Sequence, residues 1–260
     1  MTATAPAAPC RILDWDSAFW GVRIAQVMPP RLDPATADAV DAFCARENVA
    51  CAFFLARLDD PESTTLAEDR GFRFADVRLT FARATEQPGA RRHAPLPPEL
   101  ALRPSRADDV PPLREIAAES HDGTRFFHDR AFPREGCRRL YATWLERSCE
   151  GYADRVLVAA WDDAPIGYVT CHLPDETHPA GRIGLIGVDA AMRGRGVGRH
   201  LVAAALDWFG EQGADRVAVV TQGANLAAQH LYAGSGFLPS DSRLWFHKWF
   251  RTHDFDEGLP

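Results

Sequence analysis

The sequence predicts a mixed α/β protein whose central sheet is mainly antiparallel and flanked by helices, preceded by a smaller α/β unit. Three observations support this fold class. Short apolar runs with a strand-like period alternate with longer segments of helical periodicity. An Asp-Asp pair at 162–163 separates two apolar runs, as in a β-hairpin. A proline-rich segment with little apolar content divides the chain, so we expect a unit over 1–83, a linker over 84–100 and a larger domain over 101–260.

Composition and charge are those of an ordinary globular protein and argue against some partners. The 260 residues are 46% apolar and 25% charged, which suits a domain with a buried core. A formal charge of -7 argues against nucleic acid as a partner. The six cysteines have no metal-ligand spacing, so we expect no metal and a reducing, cytoplasmic location. No signal-peptide pattern and no apolar run of about 18 residues is present, so we expect no membrane association.

In the N-terminal unit, the patterns predict strands over 51–57 and 72–83. A helix between the early strand and residue 51 begins at Pro34, with Asp33 as its N-cap, and a second short helix begins at Pro61. The unit contains no glycine-rich loop. We therefore expect no phosphate site of its own there.

The larger domain is predicted to begin with two helices, the first capped by Ser105 or Asp108. A hairpin, a nearly all-apolar strand and further alternating helices and strands follow. The expected helices cover 105–120, 134–150, 199–214 and 225–237, and the expected strands cover 155–161, 164–173, 181–188, 216–222 and 242–250.

The stretch MRGRGVGRHL, residues 192–201, places three glycines and three arginines directly before an apolar helix. A strand, a glycine loop and a helix start form an anion site, because free backbone N–H groups and the helix dipole both favour phosphate. The loop lacks the Gly-Lys-Ser/Thr of a Walker motif, and Arg199 stands where a dinucleotide fingerprint needs glycine. The spacing that fits is R-x-x-G-x-G, read from Arg193 through Gly196 to Gly198.

That spacing resembles the signature of the GCN5-related N-acetyltransferases (GNAT), and the stretch LYAGSGF resembles a second motif of this family. The resemblance implies that acetyl-CoA is the co-substrate, with its pyrophosphate in the loop. It also implies that strands 181–188 and 216–222 splay apart and that pantetheine lies between them. The residues that the resemblance assigns to acetyl-CoA are Ile186, Val188, Arg193, Gly194, Arg195, Gly196, Val197, Gly198, Arg199 and Asn225.

The resemblance further implies direct attack of an amine on the thioester, which needs an oxyanion donor and a proton for the leaving thiolate. Tyr232 lies where the family's tyrosine reaches the sulfur, so we expect it to be the general acid. The alternative is a core tyrosine that packs against Phe237. A backbone N–H near Val188 is the expected oxyanion donor.

The general base stays open at this stage, because the strand RIGLIGV lacks the glutamate that many family members carry there. Asp76 is a candidate, since a carboxyl group between aromatic residues can have a raised pKa. His172 near a strand end is another candidate, although a histidine there is more often structural. Glu119, His121 and Asp122 are further candidates, and ordered water can also carry the proton.

The N-terminal half extends the resemblance toward family members that acetylate TDP-fucosamine, through LDWDSAFWG, GTRFFHDRAF and LYATWLERS. The implied acceptor is a TDP-linked 4-amino-6-deoxy sugar. Another amine, such as an antibiotic, a polyamine or an amino acid, is the first alternative. A non-catalytic acyl-CoA-binding module is the second, and a homodimer is one candidate for the assembly.

A nucleotide-linked acceptor brings its own phosphates, which need a basic site besides the glycine loop. The segment GTRFFHDR offers Arg125 and Arg130 for phosphates, and Phe126 or Phe127 for stacking on a pyrimidine. The alternative is an ordinary surface loop. These four residues are the predicted acceptor-binding residues.

Overall fold

The computed structural model describes residues 8–85, 97–251 and 255. The chain forms two compact units, and neither is continuous in sequence. The first unit comprises Met1–Arg78, Thr124–Gly136 and Ser242–Pro260, and the second comprises Leu79–Gly123 and Cys137–Asp241. Most of the predicted linker, residues 86–96, lies outside the described residues. The domain boundaries expected from the sequence therefore stay predictions.

Ten strands and eight α-helices make up the described parts of the chain. In chain order they are β1 (Cys10–Ile12), α1 (Asp14–Trp20), β2 (Ile24–Val27), α2 (Pro34–Arg46), β3 (Cys51–Arg57), α3 (Pro61–Asp69), β4 (Arg73–Ala84), β5 (Leu100–Pro104), α4 (Val110–Ser120), α5 (Arg125–His128), α6 (Arg134–Arg147), β6 (Arg155–Trp161), β7 (Ala164–His172), β8 (Gly181–Val188), α7 (Val197–Glu211), β9 (Arg216–Gln222), α8 (Leu226–Gly234) and β10 (Leu238–Trp249). Strands β4 and β10 each contribute residues to both units.

In the first unit, β2 lies between β1 and β3, and β3 pairs with the second half of β10. The β1–β2 and β3–β10 pairs are antiparallel, whereas β2 and β3 run parallel because α2 connects them. Pairing of β3 with β10 runs from Cys51↔Trp249 to Arg57↔Arg243. The sheet of this unit therefore joins two strands, β3 and β10, that are far apart in the sequence.

In the second unit, the strands lie in the order β9-β8-β7-β6-β5. The pairs from β5 to β8 are antiparallel, and β8 and β9 are parallel. Asp162 and Asp163 both have positive φ, as a tight hairpin turn between β6 and β7 requires, so the predicted hairpin is confirmed. The predicted fold class, a mainly antiparallel sheet flanked by helices, is confirmed as well.

Helix α7 packs its apolar stripe on one face of this sheet, where Leu201, Val202 and Phe209 are almost fully buried. Helices α4 and α6 cover the other face, with Leu113 and Leu145 against Tyr168. Both faces of β7 are thus buried. Among the described residues, we find no helix with the length and apolarity that crossing a bilayer requires.

Several helix starts follow the predicted capping. Asp33 accepts a hydrogen bond from Thr36 N at 2.7 Å, and Pro34 begins α2. The prediction of Ser105 or Asp108 as the cap before α4 is wrong. Asp109 instead accepts from Arg106 N at 2.7 Å and forms an ion pair with Arg103, because a short 3-10 turn over Ala107–Asp109 precedes the helix.

Candidate active site

Strands β8 and β9 pair over only part of their length. The parallel pairing runs from Gly181↔Val217 to Ile183↔Val219, and none is found beyond it among the described residues. Residues 184–188 of β8 therefore have a neighbour on the β7 side but none on the β9 side. This confirms the expected splay of the two strands.

The backbone of β8 directs alternate residues into the gap. Asp189 N donates to Ile166 O at 2.9 Å, and Leu185 N donates to Thr170 Oγ1 at 2.8 Å, so the amides of both point toward β7. Because amides alternate along a strand, those of Ile186 and Val188 point the other way, into the gap. These are the two positions that the resemblance assigned to pantetheine.

The glycine turn ends at an open helix start. Gly194 and Gly196 have φ values of +76° and +84°, a conformation that glycine adopts without strain. Gly196 is the N-cap of α7 and, having no side chain, leaves the first backbone N–H groups without a side-chain cap. A Cβ atom on either glycine would meet nothing within 4 Å, so the space above the turn is open.

The three arginines of the turn differ in their surroundings. Arg193 donates from Nε to Val188 O at 3.0 Å and from Nη2 to Ser120 Oγ at 3.4 Å, which ties the turn to β8 and α4. Arg195 and Arg199 are exposed. The side chain of Val197, the first residue of α7, is buried, so only its backbone can contribute to a ligand site. Gly198 lies against Leu231.

Asn225 is the N-cap of α8, and its Oδ1 accepts from Ala228 N at 3.1 Å. The residue is exposed, so its amide NH₂ group is available on the surface. Gln229, which the sequence analysis missed, donates to Gln222 O and Gly223 O at 3.2 and 2.8 Å. This side chain fixes the turn between β9 and α8.

Tyr232 lies in α8 with 2% of its surface exposed. Its ring packs between Phe81 and Phe237, with centroid distances of 6.1 and 5.9 Å. Burial raises the pKa of its phenol, so the hydroxyl stays protonated at neutral pH. No hydrogen bond to this hydroxyl is found within the described part of the chain.

His172 lies above bare backbone of β8. The β7–β8 register shifts between Val169 and Cys171, which makes a bulge in β8 around Gly184. A Cβ atom on Gly184 would lie 2.6 Å from His172 Nε2 and 2.7 Å from Thr170 Oγ1. Burial, with the nearby Arg182, lowers the pKa of His172, so its imidazole is neutral at pH 7. A neutral imidazole can accept a proton.

A second histidine, His121, lies at the end of α4. Its Nε2 is 3.1 Å from the hydroxyl of the buried Tyr168, and its ring stacks on Tyr141 at 4.5 Å. Burial lowers the pKa of His121 to about 4. The other two candidates from this segment, Glu119 and Asp122, are exposed.

Asp76 belongs to the first unit, whereas Tyr232 and His172 belong to the second. Its side chain is 6% exposed, and its Oδ1 accepts from Val77 N at 2.8 Å. Burial raises the pKa of this carboxyl to about 6, against the opposing effects of His128 and Arg125. Asp76 therefore has the raised pKa that its sequence context predicted.

Arg125 is held by aromatic rings and a hydrogen-bonded relay. Its guanidinium carbon lies 4.1 to 4.2 Å from the ring centroids of Phe53, Phe126 and Trp245. Nη1 donates to His247 Nε2 at 2.9 Å, which leaves Nδ1 of that ring to donate to Asp129 at 2.7 Å. Arg125 is a well-anchored, half-buried cation.

The remaining predicted acceptor residues divide between core and surface. Phe126 is 2% exposed and packs on Trp20 and Phe132. It is therefore a core residue, and the prediction that it stacks on a pyrimidine is wrong. Phe127 is half-buried, and Arg134 lies over its ring. Arg130 is exposed.

The open helix start and the gap between the parallel strands both lie in the part of the chain that a known family matches. Residues 114–237 match the acetyltransferase (GNAT) family. The resemblance drawn from the loop and from LYAGSGF is confirmed. In the described residues we find no group of three metal-ligating side chains.

Two curated relatives and one solved structure place the chain more closely. It is 32% identical over 143 residues to a dTDP-fucosamine acetyltransferase of Escherichia coli O6:H1, covering 54% of this chain and 59% of that protein. It is 29% identical over 183 residues to a mycothiol acetyltransferase of Propionibacterium freudenreichii, covering 69% and 55%. The chain thus spans between about half and three fifths of the length of these relatives.

A GCN5-related N-acetyltransferase from Sphaerobacter thermophilus superposes with a TM-score of 0.60 at 20% identity. The superposition covers 93% of this chain and 76% of that one. At this identity the similarity concerns the fold. It extends across nearly the whole chain, beyond the residues matched by the family.

Proposed function

We propose that the protein is an acetyl-CoA-dependent N-acetyltransferase that acts on a primary amine by direct attack on the thioester. The observation that carries the proposal is the gap between β8 and β9, because it lies next to the open start of α7. A chain that carries amides and ends in a pyrophosphate fits both features at once. The family match supports the same reaction class.

In this proposal, the N–H groups of the first turn of α7 hold the pyrophosphate, and Arg195 and Arg199 neutralise its charge. Ile186 and Val188 bind the amides of pantetheine as a neighbouring strand would. Gly194, Gly196, Gly198 and the backbone of Val197 shape the turn. Asn225 offers its amide NH₂, and Arg193 acts through the turn that it holds in place.

His172 is our first choice for the base, because its Nε2 stands over the bulge of β8 and its ring is neutral. It takes the proton that the amine nitrogen loses as the C–N bond forms. Since the thioester carbonyl must lie within reach of His172, we place the oxyanion donor at a backbone N–H by the bulge of β8 rather than near Val188, which is four residues, about 13 Å, farther along the strand. When the C–S bond breaks, Tyr232 gives its proton to the thiolate. Asp76 remains the alternative base, and His172→Gln should lower kcat about 10²-fold if the first choice holds.

The proposed acceptor is a nucleotide-linked amino sugar, specifically a TDP-4-amino-6-deoxyhexose. The similarity to a dTDP-fucosamine acetyltransferase supports it. Arg125 and Arg130 are proposed for the phosphates and Phe127 for the pyrimidine. A second candidate is an amine related to mycothiol, which the similarity to mycothiol acetyltransferases favours. Use of these metabolites would place the enzyme in the cytoplasm.

The test is a thiol-release assay with acetyl-CoA and a panel of amines. The panel contains TDP-, UDP- and GDP-amino sugars, the free amino sugars, a mycothiol-related amine, a polyamine, an amino acid and an aminoglycoside. Fastest turnover of a TDP-amino sugar would support the full proposal. Equal rates on the linked and free sugars would remove the nucleotide from it. No acetyl transfer to any amine would contradict the enzyme itself and leave an acyl-CoA-binding module.

A further inference from the structure

Tyr152 is a large aromatic residue on the surface of the second unit, with 70% of its area exposed. It ends the irregular turn Ser148–Tyr152, where Gly151 has a φ of +107°. Binding sites use exposed tyrosines because the large ring turns about only two side-chain bonds, so little freedom is lost when a ligand packs on it. The question is which ligand this ring would meet.

The ring of Tyr152 lies beside the proposed base. Its centroid is 5.5 Å from that of His172, and the two rings stand at 70°, edge to face. His172 in turn lies over the exposed backbone of Gly184 at the bulge of β8. Tyr152, His172 and Gly184 are therefore successive neighbours at the end of β7 and the bulge of β8.

The charges around these residues are mixed. Arg182 has the largest charge effect on His172, and Asp154 and Asp175 act against it. Asp175 is fully ionised, because hydrogen bonds from Thr177 and His178 hold its pKa far below the usual range. Arg182 Nη2 donates to Asp175 Oδ2 at 3.3 Å, so these charges partly offset each other and recognition there does not depend on charge alone.

We propose that Tyr152 binds the acceptor, by packing its ring against the sugar ring that bears the amine. The inference rests on the proposed function and names the part of the substrate that this function leaves open. The sugar ring is the choice over the nucleobase for a reason of distance. The amine nitrogen at His172 is one bond from its own sugar ring, whereas the nucleobase is separated from that nitrogen by the whole sugar and two phosphates.

The experiment compares Tyr152→Ala and Tyr152→Phe with the unmodified protein on two acceptors, an amino sugar and a linear primary amine of equal charge. Tyr152→Ala should raise KM for the amino sugar about 10-fold, or about 1.4 kcal/mol, with kcat unchanged within about twofold. Tyr152→Phe keeps the ring and should retain the original KM. The linear amine should be insensitive to both substitutions.

Two controls separate binding from structural damage. Leu58→Ala removes a similarly exposed apolar side chain, 54% exposed in the first unit, and should change neither KM. Affinity for acetyl-CoA should also be unchanged in Tyr152→Ala.

An unchanged KM for the amino sugar in Tyr152→Ala overturns the inference and leaves the proposed function intact. An equal rise in KM for the linear amine also overturns it, because the ring would then not be recognising a sugar. Failure of the unmodified protein to acetylate any amine would be seen before any variant is made. That outcome removes the proposed function, and the inference with it.

Discussion

The hydroxyl is the one polar group of the Tyr232 side chain, and the rest of that side chain is buried. Replacing Tyr232 with phenylalanine keeps the packing on Phe81 and Phe237 and removes only the proton donor. Since a leaving thiolate then departs unprotonated, we expect kcat to fall about 10²-fold or more while KM for acetyl-CoA barely moves. Steady-state kinetics with thiol detection measure both. Turnover equal to that of the unmodified protein would make Tyr232 a core residue.

Asp76 should leave a signature in stability against pH. Its pKa of about 6 in the folded chain exceeds the ordinary value of 3.8, so the folded state holds a proton that the unfolded state releases between these values. Stability is therefore lost as pH rises from 4 to 6. Asp76→Asn cannot ionise, so we expect it to be more stable than the unmodified chain by on the order of 1–3 kcal/mol at pH 7.

Urea titrations at pH 4 and pH 7 check this expectation. At pH 4 the two proteins should unfold at much closer urea concentrations than at pH 7, because the carboxyl is protonated in the folded state and partly protonated in the unfolded state. Asparagine can still accept from Val77 N, so the local hydrogen bond is kept. A variant that is less stable at pH 7 would mean that the ionised carboxylate stabilises the fold.

At the scale of the elements, the glycine turn before α7 is held by backbone conformation. Gly196 has a φ of +84° and open space around it, so any side chain there strains the backbone and also stands above the first turn of the helix. We expect Gly196→Ala to weaken acetyl-CoA binding about 10-fold, or about 1.4 kcal/mol, and Gly196→Val at least as much. Isothermal titration calorimetry gives the affinity directly.

Gly213 supplies the matched control at the other end of the same helix. Its φ is +75°, and a Cβ atom on it also meets nothing within 4 Å, so Gly213→Ala carries the same backbone strain. It should lower thermal stability by a similar amount without touching acetyl-CoA affinity. If both variants lose affinity equally, the loss reports helix destabilisation rather than a blocked anion site.

Local sequence signals were enough for most elements. Asp33 with Pro34 gave the start of α2, and Asn225 gave the start of α8, because a cap is a contact between residues three positions apart. The bulge at Gly184 had no such signal. Its position depends on the register between β7, which carries Thr170 and His172, and β8. That register is set by both strands together and cannot be deduced from either one alone.

At the scale of the whole molecule, the boundaries of the two compact units differ from those predicted from composition along the sequence. The first unit includes 124–136 and 242–260, which lie on the far side of the predicted linker. Their contribution is aromatic: Phe126, Phe132 and Trp249 complete the cluster around Trp20 and Phe53. Contacts between residues so distant in sequence leave no periodic pattern, so the sequence could not reveal them.

This arrangement predicts that residues 1–83 do not fold alone. Strand β3 would lose its seven-residue pairing with β10, and the fully buried Phe53 and Phe54 would lose Phe126 and Phe246. We expect the isolated fragment to show no cooperative thermal transition by circular dichroism, whereas the full chain shows one. A cooperative fragment would instead support the predicted boundary near residue 84.

Because β8 is unpaired in the gap toward β9, hydrogen–deuterium exchange of its backbone amides can report whether a ligand is bound there. The amides of Ile186 and Val188 face no strand in that gap, so they should take up deuterium quickly, whereas the amide of Asp189, bonded to Ile166, should be slow. A ligand that completes the ladder should slow only the first two, about 10-fold or more. Unchanged exchange with saturating CoA would argue against strand-like insertion. Because no amine is needed, the same measurement ranks acyl-CoA thioesters by chain length and separates binding from turnover.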